Sequence, residues 1–213
     1  MTRNLIIVGA SGFGRELVQY IEDINTSKDI PSWNILGFID DNLRALDGIG
    51  HGYRVIETIV DHNPKEDAFY ACAIAFPDLK QKIVKLLKSK GAKFATIIHP
   101  SARVSKFAVL GEGCVITPNS NVNTEAKIGN FVSVLASGIG HDAIVGDYST
   151  LSGHVWVNGH VEIGNNVYMG CGSMVAPSKK IGDNSTVGIG SVVISNIRPN
   201  TKVFGNPAKK LDI

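Results

Sequence analysis

The chain has 213 residues, of which 44% are hydrophobic and 19% are charged, and its formal net charge is +2. This composition is typical of a folded globular protein and excludes an intrinsically disordered chain. A net charge so close to zero gives no reason to expect nucleic acid as a partner.

The cysteines and the apolar runs indicate a cytoplasmic protein. Cys72, Cys114 and Cys171 are widely spaced and odd in number, which fits neither a disulfide framework nor a zinc site. The apolar run near the N-terminus has about four residues, too few for the core of a signal peptide. No apolar stretch approaches the roughly 20 residues that a membrane span needs. We therefore expect no membrane contact.

The first 97 residues alternate between predicted strands and helices. Short apolar runs predict strands at residues 5–8, 35–39, 69–75 and 94–98. Between them, apolar residues recur at helical spacing, and Gly91 stands where a helix C-terminus needs a left-handed residue. This order predicts a small parallel sheet with helices on its faces, as one domain over residues 1–97. The apolar helix positions are Leu17, Ile21 and Ile24, and then Leu79, Ile83, Leu86 and Leu87.

A glycine-rich loop follows the first predicted strand. Residues 9–14 read Gly-Ala-Ser-Gly-Phe-Gly and open the first helix, where backbone N–H groups can approach a phosphate closely. Asp40 and Asp41 end the second strand, where a carboxylate can accept hydrogen bonds from a ribose or a base. A dinucleotide cofactor is a weaker alternative, since fewer than about 100 residues leave no room for a second mononucleotide half. A turn that only packs is the remaining alternative.

From residue 98 onward the apolar residues recur every six positions, which predicts a β-helix over residues 98–213. Each one is expected to point inward from a short strand, three strands making one triangular coil of 18 residues and the whole making about five coils. A β-sandwich would show longer strands and irregular loops. The α/β domain is predicted to cover one end of the β-helix and residues 197–213 the other. The anchors are Ile98, Val104, Leu110, Ile116, Val122, Ile128, Val134, Val145, Leu151, Val157, Ile163, Met169, Val175, Ile181, Val187 and Val193.

The repeat breaks once, and a histidine lies in the break. Val134 and Val145 are 11 positions apart where two repeats would take 12, and His141 and Asp142 lie between them. A distorted corner could project both side chains into a groove. An imidazole is suited to remove a proton near neutral pH, and a carboxylate on its other nitrogen would fix the tautomer. His141 is therefore predicted to be a general base with Asp142 as its partner.

Metal and covalent catalysis are not predicted. His141, His154 and His160 have no carboxylate or cysteine at ligand spacing in the repeat, so we expect no metal. Cys171 has no basic neighbour in sequence that would activate its thiol.

The β-helix repeat, together with Gly-Asn-Pro-Ala at residues 205–208, resembles the hexapeptide-repeat acyltransferases. The glycine loop, Phe38-Ile39-Asp40-Asp41 and Gly140-His141-Asp142-Ala143 narrow the resemblance to the bacterial PglD- and NeuD-like sugar acetyltransferases. These proteins acetylate UDP-linked 4-amino-sugars, and their relatives O-acetylate sialic acid. The resemblance implies a left-handed parallel β-helix, a homotrimer with sites between subunits, and acetyl-CoA as co-substrate.

The resemblance also implies the roles of individual residues. In such enzymes the glycine loop and the aspartates hold the UDP-sugar, which assigns Gly12, Phe13, Gly14, Asp40, Asp41 and Ala75 to that substrate. The base is the histidine of the His-Asp pair, which is His141 here. Acetyl-CoA contacts fall at Thr150, Gly159, Cys171 and Ile189. The chain departs from the family at Phe13 and Thr150, where the family has histidine, and at Ala75, where it has glycine.

The predicted function is therefore acetyl transfer from acetyl-CoA to the 4-amino group of a UDP-linked deoxy-amino-sugar, for a surface glycan. O-acetylation of sialic acid or another sugar hydroxyl is the alternative within the same class. An NAD(P)-dependent oxidoreductase and a non-catalytic trimeric scaffold are the alternatives from other classes.

Overall fold

The computed structural model describes residues 2–29 and 31–211. The predicted domain ranges also include Met1, Ile30, Asp212 and Ile213, which lie outside the described residues. The N-terminal domain consists of β1 (Arg3–Val8), α1 (Gly12–Thr26), β2 (Trp33–Ile39), β3 (Val55–Glu57), β4 (Ala68–Cys72), α2 (Pro77–Ser89) and β5 (Lys93–Phe94).

The five strands form a parallel sheet in the order β3-β2-β1-β4-β5, with a helix on each face. Strand β1 lies in the centre, and its residues 5–8 are fully buried. Leu5 and Ile7 pack with Leu17 of α1, whereas Ile6 and Val8 pack in a second cluster with residues of α2. A strand covered on both sides needs apolar residues at every position, which is why β1 is a continuous apolar run.

Three predicted boundaries in this domain differ from the structure. Strand β3 was not predicted, because its three half-buried residues carry no distinct apolar pattern. Strand β4 ends at Cys72, so residues 73–75 follow the strand instead of extending it. The predicted strand at residues 94–98 is two strands, because the chain passes there from one sheet to the next, and the second strand already belongs to the β-helix.

The β-helix consists of two-residue strands followed by a short hairpin. The strands are β6 (Ile97–Ile98), β7 (Arg103–Val104), β8 (Val109–Leu110), β9 (Val115–Ile116), β10 (Asn121–Val122), β11 (Lys127–Ile128), β12 (Ser133–Val134), β13 (Gly138–Ile139), β14 (Ile144–Val145), β15 (Thr150–Leu151), β16 (Trp156–Val157), β17 (Glu162–Ile163), β18 (Tyr168–Met169), β19 (Met174–Val175), β20 (Lys180–Ile181), β21 (Thr186–Val187), β22 (Val192–Val193), β23 (Lys202–Phe204) and β24 (Lys209–Lys210).

These strands stack into three flat faces. The first face contains β6, β9, β12, β15, β18, β21, β23 and β24, the second contains β7, β10, β13, β16, β19 and β22, and the third contains β8, β11, β14, β17 and β20. We call the turn that follows each face the first, second and third corner. The inward residues of all three faces form one continuous core. The predicted fold class, a small parallel α/β domain followed by a β-helix, is confirmed.

Each corner from Gly113 to Gly190 contains one residue with positive φ. L-residues other than Asn, Asp and Gly rarely adopt this conformation, yet here it also occurs at aromatic and aliphatic residues, including Phe131, Ala136 and Tyr148. The stacking of coils therefore imposes the corner conformation, even where the local sequence does not favour it.

The shortened step of the repeat lies at a different corner from the one predicted. Ile139 of β13 is a further inward anchor, five positions after Val134 and six before Val145. The missing residue therefore belongs to the first corner, between β12 and β13. There Ala136 has φ 46°, and its N–H donates to Thr117 Oγ1 at 2.8 Å. The histidine–aspartate pair lies on the following corner, which has the regular length.

The two ends of the β-helix differ. At the C-terminal end, Ile197 and Val203 pack on the core, and β23 and β24 form an antiparallel pair beyond the last coil. At the other end Ile98 is 39% exposed and Leu110 is only half-buried. The prediction that the α/β domain covers this end was wrong. The domain packs instead along the first face, where Val115 of β9 joins the core of the α/β domain.

A buried lysine joins the two halves of the chain. Lys80 of α2 is 1% exposed, and its Nζ donates to Phe131 O, Ser133 Oγ, Ser149 O and Thr150 Oγ1 at 2.8–3.2 Å. Burial lowers the pKa of Lys80 to about 8, because a charge out of water is costly. The four oxygen acceptors offset part of that cost by taking the place of water.

We expect this lysine to make stability rise with pH. Above pH 8 the folded protein loses the proton of Lys80, whereas the unfolded chain holds it up to pH 10.5. The free energy of unfolding then increases with pH, by up to about 1.4 kcal/mol per pH unit. Burial raises the pKa of Cys72 and Cys114 to about 11 from 9.0, which acts in the opposite direction above pH 9. Denaturant unfolding should therefore show the rise between pH 8 and 9.

The matched variants are Lys80→Met and Lys82→Met, since Lys82 is an exposed lysine on the same helix. The rise should vanish in Lys80→Met and persist in Lys82→Met. An unchanged rise in Lys80→Met would show that another group causes it.

Candidate active site

A cavity of about 350 Å³ opens at the carboxyl ends of the parallel strands. Gly9 follows β1, Asp40 and Asp41 follow β2, and Ala75 follows β4, and all of them line the cavity. In the strand order of this sheet, β1 is the point from which the chain runs outward in both directions, which is where ligands of α/β proteins bind. The predicted nucleotide-sugar residues thus gather at a position typical of nucleotide sites.

Only some of the residues predicted to bind the nucleotide-sugar line the cavity. Phe13 and Ala75 line it together with Asp40 and Asp41, whereas Gly12 and Gly14 do not. The sequence analysis missed the apolar wall, which Ile59, Phe76, Leu79 and Ile83 contribute. The sequence marked Leu79 and Ile83 only as apolar positions of a helix, whereas Ile59 and Phe76 lie in the loops after β3 and β4 and follow no pattern.

Both aspartates brace the loops around the cavity. Asp40 Oδ2 accepts the N–H of Ala10 at 2.8 Å, and its Oδ1 accepts the N–H of Asn42 at 2.8 Å. Asp41 Oδ1 accepts the N–H of Ile59 at 2.9 Å. These hydrogen bonds form without any ligand, so each carboxylate helps to fix the shape of the cavity.

The two glycines outside the cavity lining are under different constraints. A Cβ atom at Gly14 would lie 2.0 Å from the carbonyl oxygen of Gly9, so α1 can approach the loop only because residue 14 has no side chain. A Cβ atom at Gly12 would meet nothing closer than Arg15 Nη2 at 4.0 Å. Gly14 is thus required for packing, and Gly12 is not.

We expect Gly14→Ala to destabilise the protein and Gly12→Ala to be tolerated. The alanine at position 14 forces α1 away from the loop, at a cost of about 1–3 kcal/mol for overpacking. Thermal unfolding should therefore show a lowered midpoint for Gly14→Ala. Gly12→Ala, in the first turn of the same helix, should leave the midpoint unchanged or raise it. Equal midpoints for the two variants would contradict the packing role of Gly14.

His141 and Asp142 form a hydrogen-bonded pair on the second corner. His141 Nδ1 lies 2.8 Å from Asp142 Oδ2, and both side chains are exposed. Neighbouring residues on a regular strand point to opposite faces. Asp142 has φ 58°, which interrupts that alternation and brings the two side chains together. The left-handed corner, and not a shortened repeat, therefore makes the pair possible. The Nδ1 contact leaves Nε2 as the nitrogen that can exchange a proton.

A second imidazole lies beside the pair. His160 Nε2 is 3.9 Å from Asp142 Oδ2, and the ring of His160 meets that of His141 edge to face, with centroids 5.1 Å apart. The sequence analysis expected no carboxylate at ligand spacing from the three histidines, but the structure places Asp142 between His141 and His160, while His154 lies on the first corner. The ligand atoms of the exposed residues His141, Asp142 and His160 lie within 4.8 Å of one another, and they are fewer than the four of a structural zinc site but equal in number to those of a catalytic one.

The four residues predicted to contact acetyl-CoA lie in three different places. Gly159 is next to His141 on the second corner, where a Cβ atom would lie 2.6 Å from His141 Nε2. Cys171 and Ile189 are exposed and stack on the first corner, with the N–H of Gly190 bonded to Cys171 O at 2.8 Å. Thr150 is fully buried, and its hydroxyl accepts a hydrogen bond from Lys80. Its side chain is therefore not accessible to a ligand.

The second face, between these two corners, bears an open groove that the sequence analysis did not identify. The groove measures about 710 Å³ and is lined by Arg103, Asn121, Asn123, Thr124 and Trp156, among others. Trp156 is 50% exposed, and its ring lies over Gly138, so that a Cβ atom there would be 2.3 Å from Trp156 Cε3. The groove adjoins the histidine corner, because Thr124 O accepts the N–H of Asp142 at 3.1 Å.

The nucleotide-type cavity and the histidine pair lie on different sides of the β-helix. The α/β domain packs along the first face and the third corner, where Phe94 meets Phe131 edge to face at 5.1 Å and Phe76 stacks on Tyr168 at 5.9 Å. His141 is on the second corner. Within residues 2–29 and 31–211, no hydrogen bond or ion pair connects the cavity to His141 or Asp142.

Known proteins resemble the chain along nearly its whole length. Residues 4–87 match the family described as the PglD N-terminal domain. The GDP-perosamine N-acetyltransferase of Escherichia coli O157:H7 is 29% identical over 212 residues, which cover 96% of this chain and 95% of that protein. The acetyltransferase domain of PglB from Neisseria gonorrhoeae FA1090, solved in complex with acetyl coenzyme A, has a TM-score of 0.88 at 25% identity, covering 99% of this chain and 100% of that one. WeeI from Acinetobacter baumannii AYE has a TM-score of 0.85 at 28% identity over 99% and 100% of the two chains.

The fold and the imidazole–carboxylate pair are those expected of an acyltransferase built on a β-helix. The predicted resemblance to the PglD- and NeuD-like sugar acetyltransferases is confirmed, and residues 4–87 match the PglD-type N-terminal domain. No helix within the described residues has the length and apolar character needed to cross a membrane.

Proposed function

We propose that the protein transfers an acetyl group from acetyl-CoA to the amino group of a nucleotide-linked amino-sugar, with His141 as general base. The observation that carries this proposal is the bond between His141 Nδ1 and Asp142 Oδ2, which leaves Nε2 exposed. The similarity to PglB, which was solved with acetyl coenzyme A, and to a GDP-perosamine N-acetyltransferase supports the two substrates.

The proposed reaction is a direct transfer. The amine nitrogen attacks the thioester carbonyl carbon, and a C–N bond forms while the proton of the amine moves to His141 Nε2. The tetrahedral intermediate then collapses, the C–S bond breaks, and the proton passes from Nε2 to the leaving sulfur. The products are the N-acetylated sugar nucleotide and CoA. Asp142 holds the imidazole in the tautomer that leaves Nε2 free and stabilises the imidazolium that forms.

The nucleotide of the acceptor is proposed to occupy the cavity beside Asp40 and Asp41. The resemblance favours a UDP-linked 4-amino-sugar. The GDP-perosamine N-acetyltransferase of Escherichia coli O157:H7, 95% of which is covered by the match to this chain, is instead named for a GDP-linked sugar. Backbone N–H groups of the loop at residues 9–14 are placed to meet the phosphates. The acetylated sugar would serve a surface glycan, and the free thiols fit a reducing cytoplasm.

The coenzyme is proposed to lie along the second face, between Cys171 and Ile189 on one corner and Gly159 on the other. Trp156 and Met174 make this face partly apolar, each about half exposed, which suits an extended pantetheine arm. Thr150 has no part in this path, because it is buried under the α/β domain.

We also propose a homotrimer in which each site combines two subunits. In one chain the nucleotide cavity is beside the first face and the base is on the second corner, so a neighbouring chain can bring its own cavity to this corner. Closed rotational symmetry gives every subunit the same arrangement.

Replacing the base should abolish transfer without unfolding the protein. His141→Asn is expected to lower kcat by roughly 10²–10⁴-fold, the usual contribution of a general base, because no other group at Nε2 takes the proton. Asp142→Asn should give a smaller loss. Initial rates should be measured with acetyl-CoA and a panel of UDP- and GDP-linked 4-amino-sugars. His154→Asn, an exposed histidine on another corner, is the matched control and should be fully active.

Turnover of UDP-linked sugars would confirm the predicted acceptor. Turnover of GDP-linked sugars alone would show that the nucleotide of the acceptor is GDP and not UDP. Sialic acid serves as the hydroxyl acceptor in the same panel. Transfer by His141→Asn at the parent rate would rule out this histidine as the base.

Hybrid trimers test whether two subunits build one site. Ala75→Trp should fill the nucleotide cavity, and His141→Asn removes the base, so each variant alone should be inactive. When the two variants are coexpressed with different tags and purified through both, a hybrid trimer contains one site with an intact base and an intact cavity. Its activity should therefore be about one third of the parent's. Inactive hybrids would place both halves of the site in one subunit.

A further inference from the structure

Gly159 and His160, which lie in the coil after that of His141, are two neighbours of its imidazole ring. Ile139 of β13 pairs with Val157 of β16, and two positions further along each chain segment His141 lies opposite Gly159. A Cβ atom at Gly159 would be 2.6 Å from both Nε2 and Cε1 of His141. No side chain tolerates such a distance, so the ring occupies its place only because residue 159 is glycine.

The direction of this contact is unusual within the β-helix. Several other rings lie over a glycine of the preceding coil, as Phe131 does over Gly113 and Trp156 over Gly138. His141 leans in the opposite direction, over a glycine of the following coil. Stacking alone therefore does not explain its orientation, and other groups must hold it there.

His160 is the neighbour that can hold the ring. Its backbone N–H donates to His141 O at 3.1 Å, which fixes the two corners together, and its ring meets that of His141 edge to face at an interplanar angle of 86°. Edge-to-face pairs at about 5 Å are favourable. Its Nε2 also lies 3.9 Å from Asp142 Oδ2, so the carboxylate stands between the two imidazoles. His160 has φ 58°, like Asp142 beneath it, and the two corners therefore present their side chains to the same side.

We propose that Gly159 and His160 are positioning residues for the base. Gly159 provides the space that leaves Nε2 of His141 uncovered, and His160 supports the edge of the ring while Asp142 holds Nδ1. This inference rests on the proposed function of His141. A general base works only within hydrogen-bond reach of the proton it takes, and a displacement of about 1 Å can cost up to roughly 10²-fold in rate.

Gly159→Ala tests the proposal directly. The three atoms nearest the added methyl group all belong to the His141 ring, and Gly159 does not have a left-handed φ, so the backbone can accept alanine. We expect kcat to fall by roughly 10- to 100-fold. Because the proposed coenzyme path also passes Gly159, the KM for acetyl-CoA should rise by less than kcat falls, and the KM for the sugar nucleotide should stay within about twofold of the parent. The unfolding midpoint should not change. Gly153→Ala is the matched control for stability, because its Cβ would meet only Cys171 Sγ at 3.9 Å.

Variants of His160 test the second half of the proposal. His160→Ala removes the edge contact, whereas His160→Phe restores an aromatic edge without a group that can meet Asp142. We expect kcat to fall in His160→Ala and to recover in part in His160→Phe. Parent activity in His160→Ala would remove this residue from the proposal.

The outcomes for Gly159→Ala separate this inference from the proposed function. A raised KM for acetyl-CoA with an unchanged kcat would leave Gly159 as a coenzyme contact alone and overturn its positioning role, as would parent kinetics in a folded variant. If His141→Asn also retained parent activity, the role of His141 as the base in the proposed function would fail. A large loss in His141→Asn together with normal Gly159→Ala would refute only the positioning role.

Discussion

Backbone hydrogen bonds between successive coils fix the position of every functional side chain on the β-helix. Each residue lies directly over its counterpart in the coil below, so the identity of one residue decides what space its neighbour has. Gly159 leaves room for the ring of His141, and Asp142 lies beneath His160 at corners with the same left-handed backbone. A pair of adjacent residues that would point apart on a regular strand is thereby brought to 2.8 Å. The chemistry thus depends on corner geometry that the stacking enforces.

The six-residue repeat made the β-helix predictable, because inward anchors at fixed spacing require identical strands. The sequence also located His141 and Asp142, but for a reason that the structure does not support. The sequence analysis did not count Ile139 as an anchor, so the missing residue could belong to either of the two corners between Val134 and Val145. The strand pairing of Ile139 shows that the shortened corner is the one before the histidine corner. The contacts of Gly159 and His160 were not predictable, because they join residues 18 positions apart whose side chains follow no pattern in the repeat.

Lys80 shows a second limit of sequence patterns. It lies at helical spacing from Ile83, Val84 and Leu87, on the buried face of α2. A lysine is ordinarily exposed, yet this one is buried against four oxygens of the β-helix. The same helix presents Leu79 and Ile83 to the nucleotide cavity. Lys80 therefore ties the wall of that cavity to the first face of the β-helix, and the burial of Thr150 follows from the same contact. The position of the α/β domain on the flank, instead of at the end, leaves the second face and its groove open.

The distance that tests the central claim is the one between His141 Nε2 and the acceptor nitrogen. It should be measured in a crystal structure of the enzyme with CoA and an amino-sugar nucleotide. We expect the amino group within roughly 2.6–3.2 Å of Nε2, with the nucleotide in the cavity of a neighbouring protomer and the sulfur of CoA on the opposite side of the amine. An ordered complex in which the amino group lies beyond the reach of His141, and against another proton acceptor, would contradict the role of this histidine.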